Sequence, residues 1–112
     1  MSAPDPDITV QQAADAADAG HVLLVDVREQ GEWAAGHAPG AVHIPLSALG
    51  AADVPTDRPV VAVGRSGNRS GVAAAQLALA GVQVANMAGG MAAWAAAGLP
   101  VVTPDGSPGE IA

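Results

Sequence analysis

The 112-residue chain contains no cysteine, no lysine, no phenylalanine and no tyrosine. Without cysteine it can form no disulfide, no thiolate metal site and no thiolate nucleophile, and it cannot carry a persulfide of its own. Its two aromatic residues are Trp33 and Trp94. The core must therefore be built from Val, Leu, Ile and Ala, whose small side chains require helices to approach a sheet closely.

Positive charge is also scarce, because 4 arginines stand against 11 acidic residues and give a net charge of −7. This balance disfavours nucleic-acid binding, which needs cations to neutralise phosphates. No apolar run approaches the ~18 residues needed to cross a bilayer, so no membrane contact is expected. The N-terminal residues have neither a positive start nor an apolar core, which predicts a cytoplasmic location.

Short apolar runs alternate with helical patterns along the chain, and glycine or proline ends most of them. This alternation predicts an α/β fold, a parallel five-stranded sheet with helices on both faces. Residues 1–102 are predicted to form one domain and residues 103–112 a flexible C-terminal tail. The predicted strands are 8–10, 21–27, 41–44, 60–63 and 82–87, and the predicted helices are 11–19, 29–35, 45–50, 71–80 and 91–97.

A polar loop follows the apolar run 60–63 and precedes the predicted helix 71–80. Its glycines permit unusual backbone angles, the next helix directs its positive end toward it, and its two arginines add charge. We expect it to bind a small oxyanion such as thiosulfate, sulfate or phosphate. The alternative is a turn whose arginines pair with carboxylates. The candidate anion-binding residues are Gly64, Arg65, Ser66, Gly67, Asn68, Arg69 and Ser70.

Asp26 and Arg28 stand at the end of a predicted central strand and are expected to support this loop. Asp26 is predicted to orient Arg65 or Arg69 through charge-assisted hydrogen bonds. Ser66 and Ser70 are expected to cap the helix or hold an anion rather than act as nucleophiles.

Other ligand classes find little support in the sequence. The loop lacks the Lys-Ser/Thr ending of a nucleotide-binding P-loop, and we expect no cofactor. His21, His37 and His43 are too scattered to form a recognised metal motif. Trp33 and Trp94 are expected to serve in packing.

Five segments in this order resemble a single-domain rhodanese, the sulfurtransferase homology domain. They are 24–29, 32–45, 60–70, 81–87 and 89–100. The resemblance implies the rhodanese fold and a loop that reads Cys-Arg-Ser-Gly-x-Arg-Ser, in which the cysteine thiolate accepts sulfur as a persulfide. This chain reads Gly64-Arg-Ser-Gly-Asn-Arg-Ser70, so glycine occupies the nucleophile's position.

Three functions remain open at this point. The favoured hypothesis is a rhodanese-like domain without its nucleophilic cysteine, kept as a non-catalytic module that binds an anion or a protein partner. The first alternative is a thiosulfate sulfurtransferase whose catalytic cysteine has been replaced by Gly64. The second is a structural scaffold without a ligand.

Overall fold

A computed structural model of the chain describes residues 3–51 and 54–112. The first two residues of the chain and Asp53, at the start of a predicted polar loop, lie outside this range. No helix in the described ranges is long and apolar enough to span a membrane. The described elements are β1 (Asp5–Ile8), α1 (Val10–Asp18), β2 (Leu23–Asp26), α2 (Gln30–Ala35), β3 (Val42–His43), a 3-10 helix (Leu46–Ala51), β4 (Val60–Val63), α3 (Asn68–Leu79), β5 (Val84–Met87) and α4 (Gly90–Ala96).

The five strands form one sheet in the order β1-β5-β4-β2-β3, and every neighbouring pair is parallel. All residues of β2, β4 and β5 are buried. This agrees with their nearly continuous apolar sequences, since the strands of a parallel sheet are covered on both faces. The predicted fold class is confirmed. Asp26 of β2 lies beside Val63 of β4, so the carboxyl ends of these two strands are level.

The strands separate their side chains between two apolar layers, because successive residues point to opposite faces. Alanine is frequent at the contacts with the helices, as the lack of large aromatic side chains predicts. One layer contains Leu23, Val25, Val60 and Ala62 with Ala73, Ala74 and Leu77 of α3. The other contains Leu24, Val61 and Val63 with Ala13 and Ala14 of α1 and with Met91 and Trp94 of α4.

The first strand is Asp5–Ile8 rather than the predicted 8–10, and Val10 belongs to α1. Two of the differences from the predicted boundaries have a local cause. Thr9, predicted to lie in the first strand, is the N-cap of α1 and forms a reciprocal capping box with Gln12. Helix α3 begins at Asn68 rather than at residue 71, directly after Gly67, whose φ of 102° is in the left-handed region. Asn68, Arg69 and Ser70 therefore form the first turn of a helix and not part of a loop.

The C-terminal segment also differs from the flexible tail that the sequence predicts. Val102 pairs with His37 through two backbone hydrogen bonds, and the chain then turns at 103–107. It returns so that Gly109 donates to Val101 O and Glu110 donates to Ala35 O, each at 2.9 Å. The polar, Gly/Pro-rich composition favoured disorder, but this composition also suits a tight turn whose backbone groups are satisfied by another segment.

Candidate functional site

The 64–70 segment connects β4 to the first turn of α3, at the carboxyl edge of the sheet. Its first two carbonyl groups are held by the start of α4: Met91 N donates to Gly64 O at 2.8 Å and Ala92 N donates to Arg65 O at 2.9 Å. A Cβ atom at Gly90 would lie 2.5 Å from Gly64 O. This position therefore needs glycine, and α4 fixes the backbone of the segment from one side.

The backbone amides of residues 65 to 70 have no hydrogen-bond acceptor among residues 3–51 and 54–112. Three of these amides belong to the first turn of α3, where no intrahelical acceptor exists. The other three precede the helix, around the left-handed Gly67. Consecutive free N–H groups at the positive end of a helix form a binding site for an anion.

Arg69 is paired with Glu32 of α2, which the sequence did not single out. Arg69 Nη1 and Nη2 donate to the two carboxylate oxygens of Glu32 at 2.6 and 2.7 Å. The hydrogen bonds from Arg69 are the main cause of a Glu32 pKa lowered from 4.5 to about 2, and Glu32 in turn raises the pKa of Arg69. The charge of Arg69 is thus compensated inside the protein.

Asp26 does not orient either arginine of the 64–70 segment, contrary to the prediction. It forms a fully buried ion pair with Arg28, whose Nε lies 3.0 Å from Oδ1 and whose Nη2 lies 2.8 Å from Oδ2. Arg28 Nη2 also donates to Gly36 O at 2.7 Å, and Arg28 Nη1 is buried without an acceptor in the described chain. The pair therefore joins the end of β2 to the end of α2.

Arg65 is exposed, and its Nε donates to the main-chain oxygen of Ala112 at 2.8 Å. Among the described residues it forms no salt bridge, unlike Arg69 and Arg28. The 64–70 segment therefore presents one guanidinium group without an acidic side-chain partner in the described chain, and not the two that the sequence suggests.

Gly64 is buried at the base of the segment, against Ser70. Its φ is not in the left-handed region, so the backbone there does not require glycine. A Cβ atom at position 64 would lie 3.0 Å from Ser70 Oγ and 3.2 Å from Ser70 N. Ser70 Oγ donates to Asn86 Oδ1 and Asn86 Nδ2 donates to Asp7 Oδ2, so Ser70 does not cap α3 with its side chain.

The two tryptophan rings and the rings of His37 and His43 have packing roles. Trp94 is buried and donates from Nε1 to Pro100 O at 2.7 Å. Trp33 stacks with the rings of His37 and His43 at centroid distances of 3.5 and 4.9 Å. Across residues 3–51 and 54–112, no three His, Cys, Asp or Glu side chains are grouped to hold a metal ion.

The Glu32–Arg69 pair should make stability depend on acid pH. Because the folded pKa of Glu32 is depressed to about 2, the stabilising effect of the ion pair is complete above pH 4.5 and is lost as the pH falls from there toward 2. We expect Glu32→Gln to lower the free energy of unfolding at pH 7 by about 1–2 kcal/mol, allowing for partial exposure of the pair. Urea unfolding between pH 7 and 2 checks this. Glu110→Gln, at an exposed position, is the control, and an unchanged pH profile in Glu32→Gln would contradict the prediction.

Comparison with known proteins gives a consistent result. The family model described as "Rhodanese-like domain" matches residues 9–97. A protein named sulfurtransferase from Allochromatium vinosum is 43% identical over 105 residues, covering 91% of this chain and 95% of that protein. An HTH-type transcriptional regulator from Mycobacterium tuberculosis is 37% identical over 111 residues, covering 90% of this chain but 46% of the regulator. A crystal structure of a rhodanese-related protein from Thermoplasma volcanium superposes with a TM-score of 0.81 at 26% identity, covering 88% of this chain and 98% of that one.

Proposed function

Because this chain belongs to the rhodanese-like domain family, we propose that its 64–70 segment binds a small anion without transferring sulfur. The observation that carries the proposal is the set of amides of residues 65 to 70, which have no acceptor within the described residues. In rhodanese-like domains that have the catalytic cysteine, the corresponding amides stabilise the persulfide of that cysteine. Here they are free to bind an anion from solution, such as thiosulfate, sulfate or phosphate.

The chemistry of position 64 supports a non-catalytic role. Sulfur transfer by the family mechanism requires a thiolate that attacks the outer sulfur of thiosulfate and carries it as a persulfide. Glycine has no side chain that can do either, and the sequence contains no other cysteine. The hydroxyl group of Ser70 donates to Asn86 Oδ1, an amide oxygen that is not a base and does not activate it as a nucleophile.

The charges around the segment predict weak binding. Arg69 is neutralised by Glu32 and Arg28 by Asp26, so Arg65 and the N-terminus of α3 supply the attraction. The anion must also exchange its hydration shell for these partners at an exposed position. Salt therefore screens this attraction, and the screening length is about 10 Å at 0.1 M ionic strength.

A titration at low ionic strength tests the proposal. Sodium thiosulfate is expected to shift the amide NMR signals of residues 65 to 70, and sodium chloride added to the same ionic strength should shift them much less. Arg65→Gln should weaken binding by about three- to tenfold, since it removes one charged donor. Arg58→Gln, a change of the same charge outside the segment, is the matched control. Amides that stay fixed at millimolar thiosulfate would refute the proposal.

A protein-binding role is the second candidate, and a specific feature of the surface favours it. Val72, in the second turn of α3 beside the segment, is 59% exposed. An apolar side chain next to an anion-binding loop suits a partner that brings both an apolar and an acidic group. Val72→Ser should then weaken partner binding while leaving thiosulfate binding unchanged.

A further inference from the structure

The C-terminal hairpin crosses the edge of the 64–70 segment. We define the returning segment as residues 109–112, which follow the turn at 103–107. The main chain is held at Glu110 by Ala35 O, and Ile111 packs on the apolar layer that contains Ala38 and Trp94. At the last residue of the returning segment, Ala112 O accepts a hydrogen bond from Arg65 Nε.

Two glycines allow this close crossing. A Cβ atom at Gly36 would collide with the main-chain O and N of Glu110, and a Cβ atom at Gly109 would lie 2.8 Å from Ala35 O. Gly36 has a φ of 170°, an extended conformation that any residue adopts. The same Cβ atom would lie 2.6 Å from Val101 Cγ1, so the absence of a side chain at Gly36 is required by the packing of Val101 and Glu110 against it and not by the local backbone.

We propose that the returning segment is an intramolecular competitor that restrains Arg65 and limits anion binding by the 64–70 segment. This inference rests on the proposed function. Arg65 is the guanidinium group of the segment that pairs with no Asp or Glu side chain in the described chain, and the returning segment occupies its Nε donor. An anion that engages Arg65 through Nε must displace Ala112 O, so occupancy by the anion and docking of the returning segment oppose each other.

The coupling is reciprocal, because two binding events linked by one equilibrium must change each other by the same factor. If docking of the returning segment weakens anion binding, a bound anion must loosen the returning segment to the same degree. The Glu110 amide reports this directly, since its hydrogen bond to Ala35 O exists only when the segment is docked.

Two substitutions should release the returning segment from different sides. Ile111→Ser removes its apolar anchor, and Gly36→Ala adds a methyl group where Glu110 passes. Each is expected to tighten thiosulfate binding about three- to tenfold, the factor that corresponds to one ordinary, solvent-exposed hydrogen bond. Leu79→Ser, at an apolar position that is 69% exposed on α3, is the control and should leave the affinity unchanged.

The experiment combines thiosulfate titration of these variants with amide hydrogen exchange of Glu110 in the unsubstituted chain. Tighter binding in both variants, with faster exchange of Glu110 at saturating thiosulfate, is the expected result. Affinities within about twofold of the unsubstituted chain, with unchanged exchange, overturn the inference while the proposed function stands. If thiosulfate shifts no amide of the 64–70 segment in any variant, the proposed function fails and the inference fails with it.

Discussion

Gly64→Cys is expected to convert thiosulfate and cyanide to thiocyanate, whereas the unsubstituted chain should give no product above the blank. The new thiolate would attack the outer sulfur of thiosulfate, breaking its S–S bond and releasing sulfite, and cyanide would then take that sulfur and regenerate the thiolate. The free amides and the N-terminus of α3 should lower the pKa of the thiol below that of free cysteine. We expect a rate at least about a hundredfold above the blank, far below the full acceleration that enzymes reach.

The structure also sets the cost of this substitution. Gly64 is outside the left-handed region, so a side chain introduces no backbone strain. The new Cβ atom would instead lie 3.0 Å from Ser70 Oγ, and Ser70 must shift by a few tenths of an ångström. We expect a loss of about 1 kcal/mol, at the lower end of the range for overpacking a core.

Gly64→Ala is the matched control, because it adds the same Cβ atom without a thiol. It should show the same small loss of stability and no thiocyanate formation. Circular dichroism, thiocyanate assay and a mass measurement of the persulfide adduct separate the outcomes. A folded cysteine variant without turnover or persulfide would show that the segment has diverged at more than position 64, and would favour the protein-binding role.

Arg28→Ala is expected to lower the free energy of unfolding by about 3–5 kcal/mol, because it leaves the buried carboxylate of Asp26 unpaired. Arg28 is the largest fully buried side chain in the described chain, and its loss also removes the donor to Gly36 O. Small domains are stable by only about 5–15 kcal/mol, so this loss is a large part of the total. Urea unfolding followed by Trp fluorescence measures it.

Arg65→Ala, the control, makes the same side-chain change at an exposed position and should lower the free energy of unfolding by less than about 1 kcal/mol. The double variant Asp26→Ala, Arg28→Ala gives a sharper test. Its loss should be smaller than the sum of the two single losses, since each single variant leaves one buried charge without its partner. Strictly additive losses would show that the two groups do not stabilise each other.

Much of the location of the candidate site could be predicted from the sequence. The apolar run 60–63 coincides with β4, and a polar loop with two glycines follows it directly. Because all neighbouring strands are parallel, the loops after β2 and β4 meet at one edge of the sheet. The Asp26–Arg28 pair could also have been found, since an aspartate side chain often accepts from the backbone N–H two residues on, as Asp26 Oδ1 does here from Arg28 N at 3.0 Å.

The partners of the arginines could not be found in this way. Arg69 pairs with Glu32 across 37 residues, and Arg65 contacts Ala112 across 47 residues. A periodic pattern predicts which face of an element is buried, but it does not predict the distance between two polar groups on different elements. For the same reason the sequence placed two free charges in the 64–70 segment, whereas the structure leaves one.

The sequence by itself determined the order of the elements, the parallel sheet and the lack of a cysteine nucleophile, because each follows from local patterns or from composition. Tertiary structure alone decided which groups are left free to bind. Helix α3 starts at Asn68 because Gly67 takes a left-handed turn. The amides of residues 65 to 70 have no acceptor within the described residues, while α4 holds the carbonyl groups of Gly64 and Arg65. The returning segment docks because Gly36 lacks a side chain at the point where α2 ends, and that contact depends on two parts of the chain meeting in space.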